Sequence, residues 1–171
     1  MVSALLPGYR IRAAREADIP VLRRFISAEA REAEHRSPAA ATVTRGVSQA
    51  VRGAVPRYWV VMPTGSKTVV ACISVFSEWS DWHAAPYWWI QSLYVRKAER
   101  GRGLATAMVR FLETAAIEAG VVEIRLYAHR DNRAAMMFYR QVGFRRTPYM
   151  VVAREVPQRP VCRAPVVFRT P

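Results

Sequence analysis

The run from Tyr87 to Ala115 constrains the fold more than any other part of the sequence. A strand-like stretch dense in aromatics ends at Val95, and Arg100-Gly101-Arg102-Gly103 follows it. Leu104, Ala107, Met108, Phe111, Leu112 and Ala115 then keep the spacing of one buried helix face. Gly120 is placed to end that helix, and Val121 to Ala128 reads as the next strand. A strand, helix, strand crossover joins parallel strands. At least one parallel pair is therefore required, and the predicted class is α/β or α+β with a mixed sheet.

The remaining segments fit around that unit. Tyr9 to Ala13 alternates as a short strand; Asp18 is a plausible N-cap, with Pro20 in the first turn of a helix carrying Ile19, Leu22, Phe25, Ile26 and Ala30 on one face. Ala39 to Val55 is weakly amphipathic and reads as a second helix closed by Pro56. Tyr58 to Met62 and Thr68 to Phe76 are β-rich runs flanking Pro63-Thr64-Gly65-Ser66, which predicts a hairpin. Asn132 to Val142 reads as a helix stopped by Gly143, and Tyr149 to Val156 as a final strand. With 171 residues, 51% of them hydrophobic, the chain has the length and apolar content of one domain. Residues 1–156 are assigned to it, and 157–171, rich in proline, to a tail.

Charge and cysteines narrow the function classes. The net charge of +13 is almost all arginine, since Lys67 and Lys97 are the sole lysines, and such a field favours anionic ligands. Nucleic acid has charge as its sole support: no zinc spacing, RNA-binding aromatic signature or lysine-rich arm accompanies it. Cys72 and Cys162 match no disulfide framework, and with three scattered histidines no metal site is expected. No run of about 18 apolar residues predicts a membrane span, and the opening MVSALLPGYR lacks a secretory pattern, so a cytoplasmic location is expected.

Glycines that open a helix after a strand present bare backbone amides at the positive end of a helix dipole, which is an anion site. A nucleotide P-loop would need lysine and then a hydroxyl after the last glycine, and Gly103 is followed by Leu104 and Ala105. A dinucleotide fingerprint would need glycine or alanine where Thr106 stands. A turn that merely starts a helix remains the plain structural alternative.

Read as R-x-x-G-x-A, the run Arg100 to Ala105 resembles the pyrophosphate motif of the GNAT acetyltransferase superfamily. A second motif of that family, N-x-x-A-x-x-x-Y-x-x-x-G-F, is matched by Asn132, Ala135, Tyr139, Gly143 and Phe144, and the likeness extends over about residues 8 to 156. The resemblance implies a mixed sheet of about six to seven strands flanked by about four helices. It also implies acetyl-CoA as cosubstrate and a homodimer. Carried over by position, Leu93, Tyr94 and Val95 would lend backbone groups to the acetyl carbonyl and the pantetheine arm. Arg100, Gly101, Arg102, Gly103, Leu104, Ala105 and Thr106 would hold the pyrophosphate, Asn132 and Ala135 would sit against the pantetheine, and Tyr139 would protonate the departing thiolate.

Ser77 to Trp82 and Trp89 to Val95 look most like the diamine acetyltransferase branch, where an acidic pair stands in place of Gln91-Ser92. Neither side chain here can attract or deprotonate a cationic amine. Candidate substitutes for those carboxylates are Glu29, Glu32 and Glu34 on the first helix, Glu78 and Asp81 before the strand, and His129, with no role assigned to any of them. Trp79, Trp82, Tyr87, Trp88 and Trp89 could line an acceptor pocket or simply pack. The expected function is acetyl transfer to a small primary amine that is not a polyamine. A catalytically silent acetyl-CoA binder is the alternative.

Overall fold

A computed structural model describes residues 2–53 and 57–157. Among them six strands form one sheet in sequence order: β1 (Val2–Leu6), β2 (Tyr9–Ala13), β3 (Arg57–Pro63), β4 (Ala71–Ser80), β5 (Ala85–Val95) and β6 (Glu123–Leu126). Pairing is antiparallel from β1 through β5 and parallel between β5 and β6. The required parallel pair thus lies on the two sides of the glycine turn. Four α-helices accompany the sheet: α1 (Ile19–Glu34), α2 (Ala40–Arg52), α3 (Leu104–Glu118) and α4 (Arg133–Gln141).

The period-two alternation of the strands sorts side chains to two helical layers. Tyr58, Val60, Met62, Cys72 and Tyr94 pack with Leu22 and Phe25 of α1 and Val43 and Val47 of α2. On the other face Val61, Ile73, Val75, Trp88 and Ile90 pack with Leu104, Met108 and Leu112 of α3. The two sets change parity inside β5. Ser74 pairs with Ser92 but Val75 pairs with Ile90, so Gln91 is an extra residue, a β-bulge. Trp88 and Ile90 face α3, whereas beyond the bulge Tyr94 faces α1 and α2.

Sequence and structure differ at several edges. β1 was not anticipated, and it pairs with β2 across a two-residue Pro7-Gly8 connection. β4 and β5 are longer than expected and bring Ser77 to Ser80 into the sheet, while β6 is shorter than Val121 to Ala128. The expected strand Tyr149 to Val156 is absent: these residues have no regular structure, and Tyr149, Met150, Val151 and Val152 are exposed. β-branched and aromatic content suits a pleated surface but makes a strand only where a partner edge pairs with it. The C-terminal closure of the second helix at Val55 and Pro56, and most of the tail with Cys162, lie outside the described residues.

One ion pair ties β2 to the start of α1. The buried Asp18 carboxylate accepts from Arg12 Nη1 and Nη2 at 2.6 and 2.9 Å and from the Arg15 amide at 2.8 Å. Burial alone would raise the Asp18 pKa, but these partners outweigh it and hold it below the usual carboxylate value. A depressed pKa means stabilisation that is full above the unfolded value and lost as pH falls through the lower folded one. Asp18→Asn at pH 7 should therefore cost about 3 kcal/mol, since it leaves Arg12 without its counter-charge. In thermal melts the gap between variant and wild type should narrow as pH falls below the ordinary carboxylate value and the Asp18 carboxylate is protonated; a gap constant with pH would show that packing, not charge, is lost.

Candidate active site

Past Ile90, which pairs with Leu126, β6 ends while β5 continues to Val95. Among the described residues, the bulge and the early end of β6 leave residues 91–95 of β5 with a free edge, beside the glycine turn at the start of α3. Gly103, the N-cap of α3, has φ 76°, and Gly101 has φ 77°. That left-handed conformation carries no Cβ penalty only in glycine, and it turns the chain so that the first-turn amides of Leu104, Ala105 and Thr106 are free of helical partners. The Leu104 side chain is buried in the core, so it can offer a ligand only its backbone.

The free edge is occupied by the protein's own side chains. The Leu93 N–H donates to Glu29 Oε1 at 3.1 Å, and the Val95 carbonyl accepts from Arg100 Nε at 3.0 Å. Arg100 also donates to Glu32 Oε2 at 2.7 Å and lies over the Tyr94 ring. Tyr94 points toward α1, its ring tilted by 34° against Phe25 with centroids 5.0 Å apart. Arg102 reaches the Tyr9 hydroxyl at 3.1 Å and Glu99 at 3.3 Å. The two arginines of the turn are thus engaged within the protein, which leaves the amides as its anion-binding groups.

Tyr139, on α4, is half-buried against Phe138 and Phe144, and among the described residues its hydroxyl has no hydrogen-bond partner. Burial first, and then the charge of Glu29, push its pKa up to about 12. Burial also pushes Glu29 up to about 7; the Leu93 amide and the Ser92 hydroxyl partly offset this, and the Glu34 charge adds to it. Asn132 caps α4, its Oδ1 accepting from the Ala135 amide at 3.1 Å. That bond accounts for Asn132 as a helix cap by local structure alone.

Of the other expected site residues, Ser92 is buried on the α1 side and Gln91 is exposed at the bulge. Asp81 lies in the β4–β5 turn, six or more residues beyond Ser74 along β4 and so about 20 Å from Ser92. Glu78 binds the Trp89 indole, Glu34 is exposed near Arg36, and His129 is exposed beside Asp131. None of these three joins the cluster around Leu93. Trp79 and Trp82 are exposed, Trp88 is core, and Trp89 stacks between Phe76 and Tyr127. Sequence reasoning missed Phe76 and Tyr127, whose alignment with Trp89 depends on strand register. Among the described residues no group of three His, Cys, Asp or Glu could hold a metal, and no helix is long and apolar enough to cross a membrane.

Comparisons with known proteins bear on this arrangement. The chain is 34% identical over 59 residues to GCN5-related N-acetyltransferase 6, chloroplastic, from Arabidopsis thaliana; the match takes in 34% of this chain and only 20% of that protein's length. It superposes on the crystal structure of a possible acetyltransferase from Clostridium difficile 630 with TM-score 0.82 and 28% identity, covering 88% of this chain and 99% of that one. Aminoglycoside N-acetyltransferase AAC(6')-Iy in complex with CoA shares the fold at TM-score 0.70 and 13% identity, over 88% of this chain and 98% of that one. The profile of the Acetyltransferase (GNAT) family matches residues 22–144, a span that takes in most of α1, the bulge, the glycine turn and Tyr139, and the chain belongs to that family of acetyltransferases.

Proposed function

We propose that this chain transfers the acetyl group of acetyl-CoA to a primary amine of a small molecule by direct attack of the amine on the thioester. The observation that carries the reading is the free edge of β5 at 91–95, continuous with the unpartnered amides at the start of α3. A pyrophosphate on those amides leaves a pantetheine arm to run along β5 as a strand would. The thioester carbonyl then falls near the Leu93 amide, and the sulfur toward Tyr139. Arg23, Arg24, Arg31, Arg96 and Lys97 line a groove of 650 Å³ where α1 meets the end of β5. Those cations and the net charge repel a polyamine, so the acceptor is a mono-amine or an amine that carries an anionic group.

Acetyl-CoA and CoA should raise the melting temperature where NAD and ATP at equal concentration do not. At a hundredfold excess over Kd the linkage is about 2.7 kcal/mol, or roughly 5–10 °C for a domain of this size. Equal shifts with NAD would return the turn to a general phosphate site. Thiol release across an amine panel separates turnover from silent binding: a shift without release on any amine favours the latter.

A further inference from the structure

We propose that Glu29 of α1 is the general base of this site, parked on the Leu93 amide until the thioester carbonyl takes that amide and frees the carboxylate to meet the incoming ammonium. This rests on the acetyl-transfer reading above. Among the described residues Glu29 is the one carboxylate that accepts from the backbone of the free edge: its Oε1 lies 3.1 Å from the Leu93 nitrogen, where the bulge at Gln91 has turned β5 out of its pairing with β6. The titratable groups facing it are Tyr58 of β3, Cys72 of β4 and Tyr139 of α4, with Glu34 on its own helix, and Ser92 of β5 beside it. None of these is a cation. A carboxylate so placed meets no positive partner among the described residues, and an acceptor ammonium supplies one.

The acceptor enters as R–NH3+, and Glu29 takes one proton, which passes to water. The nitrogen lone pair attacks the carbonyl carbon, and the oxyanion is held by the Leu93 N–H that Glu29 has vacated. Collapse breaks the C–S bond, with its electron pair going to sulfur. The Tyr139 proton moves to sulfur while the extra proton on nitrogen returns to the Tyr139 oxygen. Amide, CoA thiol and one released proton result.

Glu29 of the unliganded protein is ionised only above about pH 7, and loss of the Leu93 amide to the thioester raises it further, so kcat/KM for the amine at saturating acetyl-CoA should rise on the alkaline side of that value and level off. Glu29→Gln should lower kcat/KM on the order of a hundredfold at pH 7.5 with a strongly basic amine. It should lose that limb, and recover most of the deficit with a weakly basic amine that arrives neutral. A loss equal for both amines, or a limb that persists in the variant, overturns the assignment while leaving acetyl transfer intact.

Binding gives a readout that needs no turnover. Acetyl-CoA competes with the ionised carboxylate for the Leu93 amide, so its Kd should weaken between pH 6 and 8 in the wild type and not in Glu29→Gln. CoA shares the phosphates but lacks the carbonyl, and serves as the reference for the cofactor's own titration. An acetyl-CoA profile that parallels that of CoA overturns the parked carboxylate, and absence of binding by either overturns the acetyl-transfer reading itself.

Discussion

Tyr139→Phe is expected to lower kcat about a hundredfold with little change in acetyl-CoA affinity, because the ring and its contacts with Phe138 and Phe144 remain and only the hydroxyl is removed. The raised pKa refines how that hydroxyl acts. A phenol near 12 facing a thiolate of ordinary basicity, about 8.5, is a poor outright donor: full transfer runs uphill by about 5 kcal/mol. The proton must therefore move as the nitrogen gives its own back, or the hydroxyl must serve chiefly as a hydrogen bond to developing charge. Either way Tyr139 stays protonated through the working range, so kcat should show no falling limb between pH 8 and 10. A variant that turns over at the wild-type rate makes Tyr139 a packing residue; a falling limb near 10 would mean that the phenol is far less perturbed than its burial and the Glu29 charge imply.

The parts of the fold that rest on local periodicity were legible in the sequence. The 3.6-residue spacing of α1 and α3 and the alternation of β2 follow from which side chains meet a neighbouring layer, and that pattern is written residue by residue. The parallel pair followed from connectivity alone, since a crossover helix leaves β5 and β6 no other arrangement. What resisted reading depends on partners. Val2 to Leu6 becomes a strand because β2 offers it an edge, and Tyr149 to Val156, with a better strand composition, is not one. The bulge at Gln91 is visible in retrospect as a broken alternation: Trp88 and Ile90 are even-numbered and core-facing toward α3, yet even-numbered Tyr94 faces α1. The site followed the same division. The glycine turn and Tyr139 carry local signatures, but nothing in the sequence sets Glu29 apart from Glu32 and Glu34. One reaches the Leu93 amide, one pairs with Arg100 and Lys97, and one is exposed, because α1 crosses the sheet at one rotation only.

Gly103→Val is expected to abolish the melting shift given by acetyl-CoA and CoA. At φ 76° a residue with Cβ pays roughly 1–2 kcal/mol, and a β-branched one is a genuine outlier there. Valine should therefore either pull the turn out of its left-handed conformation or put two methyl groups over the α3 amides. Both remove the cradle. The protein itself does not resist a side chain, since a Cβ at this position meets nothing within 4 Å, so Gly103→Ala separates the two effects. Alanine carries the backbone strain with one small methyl in open space and should lower the unliganded melting temperature by a few degrees. It should keep a reduced ligand shift, while valine loses the shift entirely. If both variants bind CoA as tightly as wild type, the phosphates do not sit on the α3 amides, and Arg96, Lys97 and Arg100 become the groups to test in their place. If valine loses the shift and alanine keeps part of it, approach of the phosphate to bare backbone is what the glycine provides.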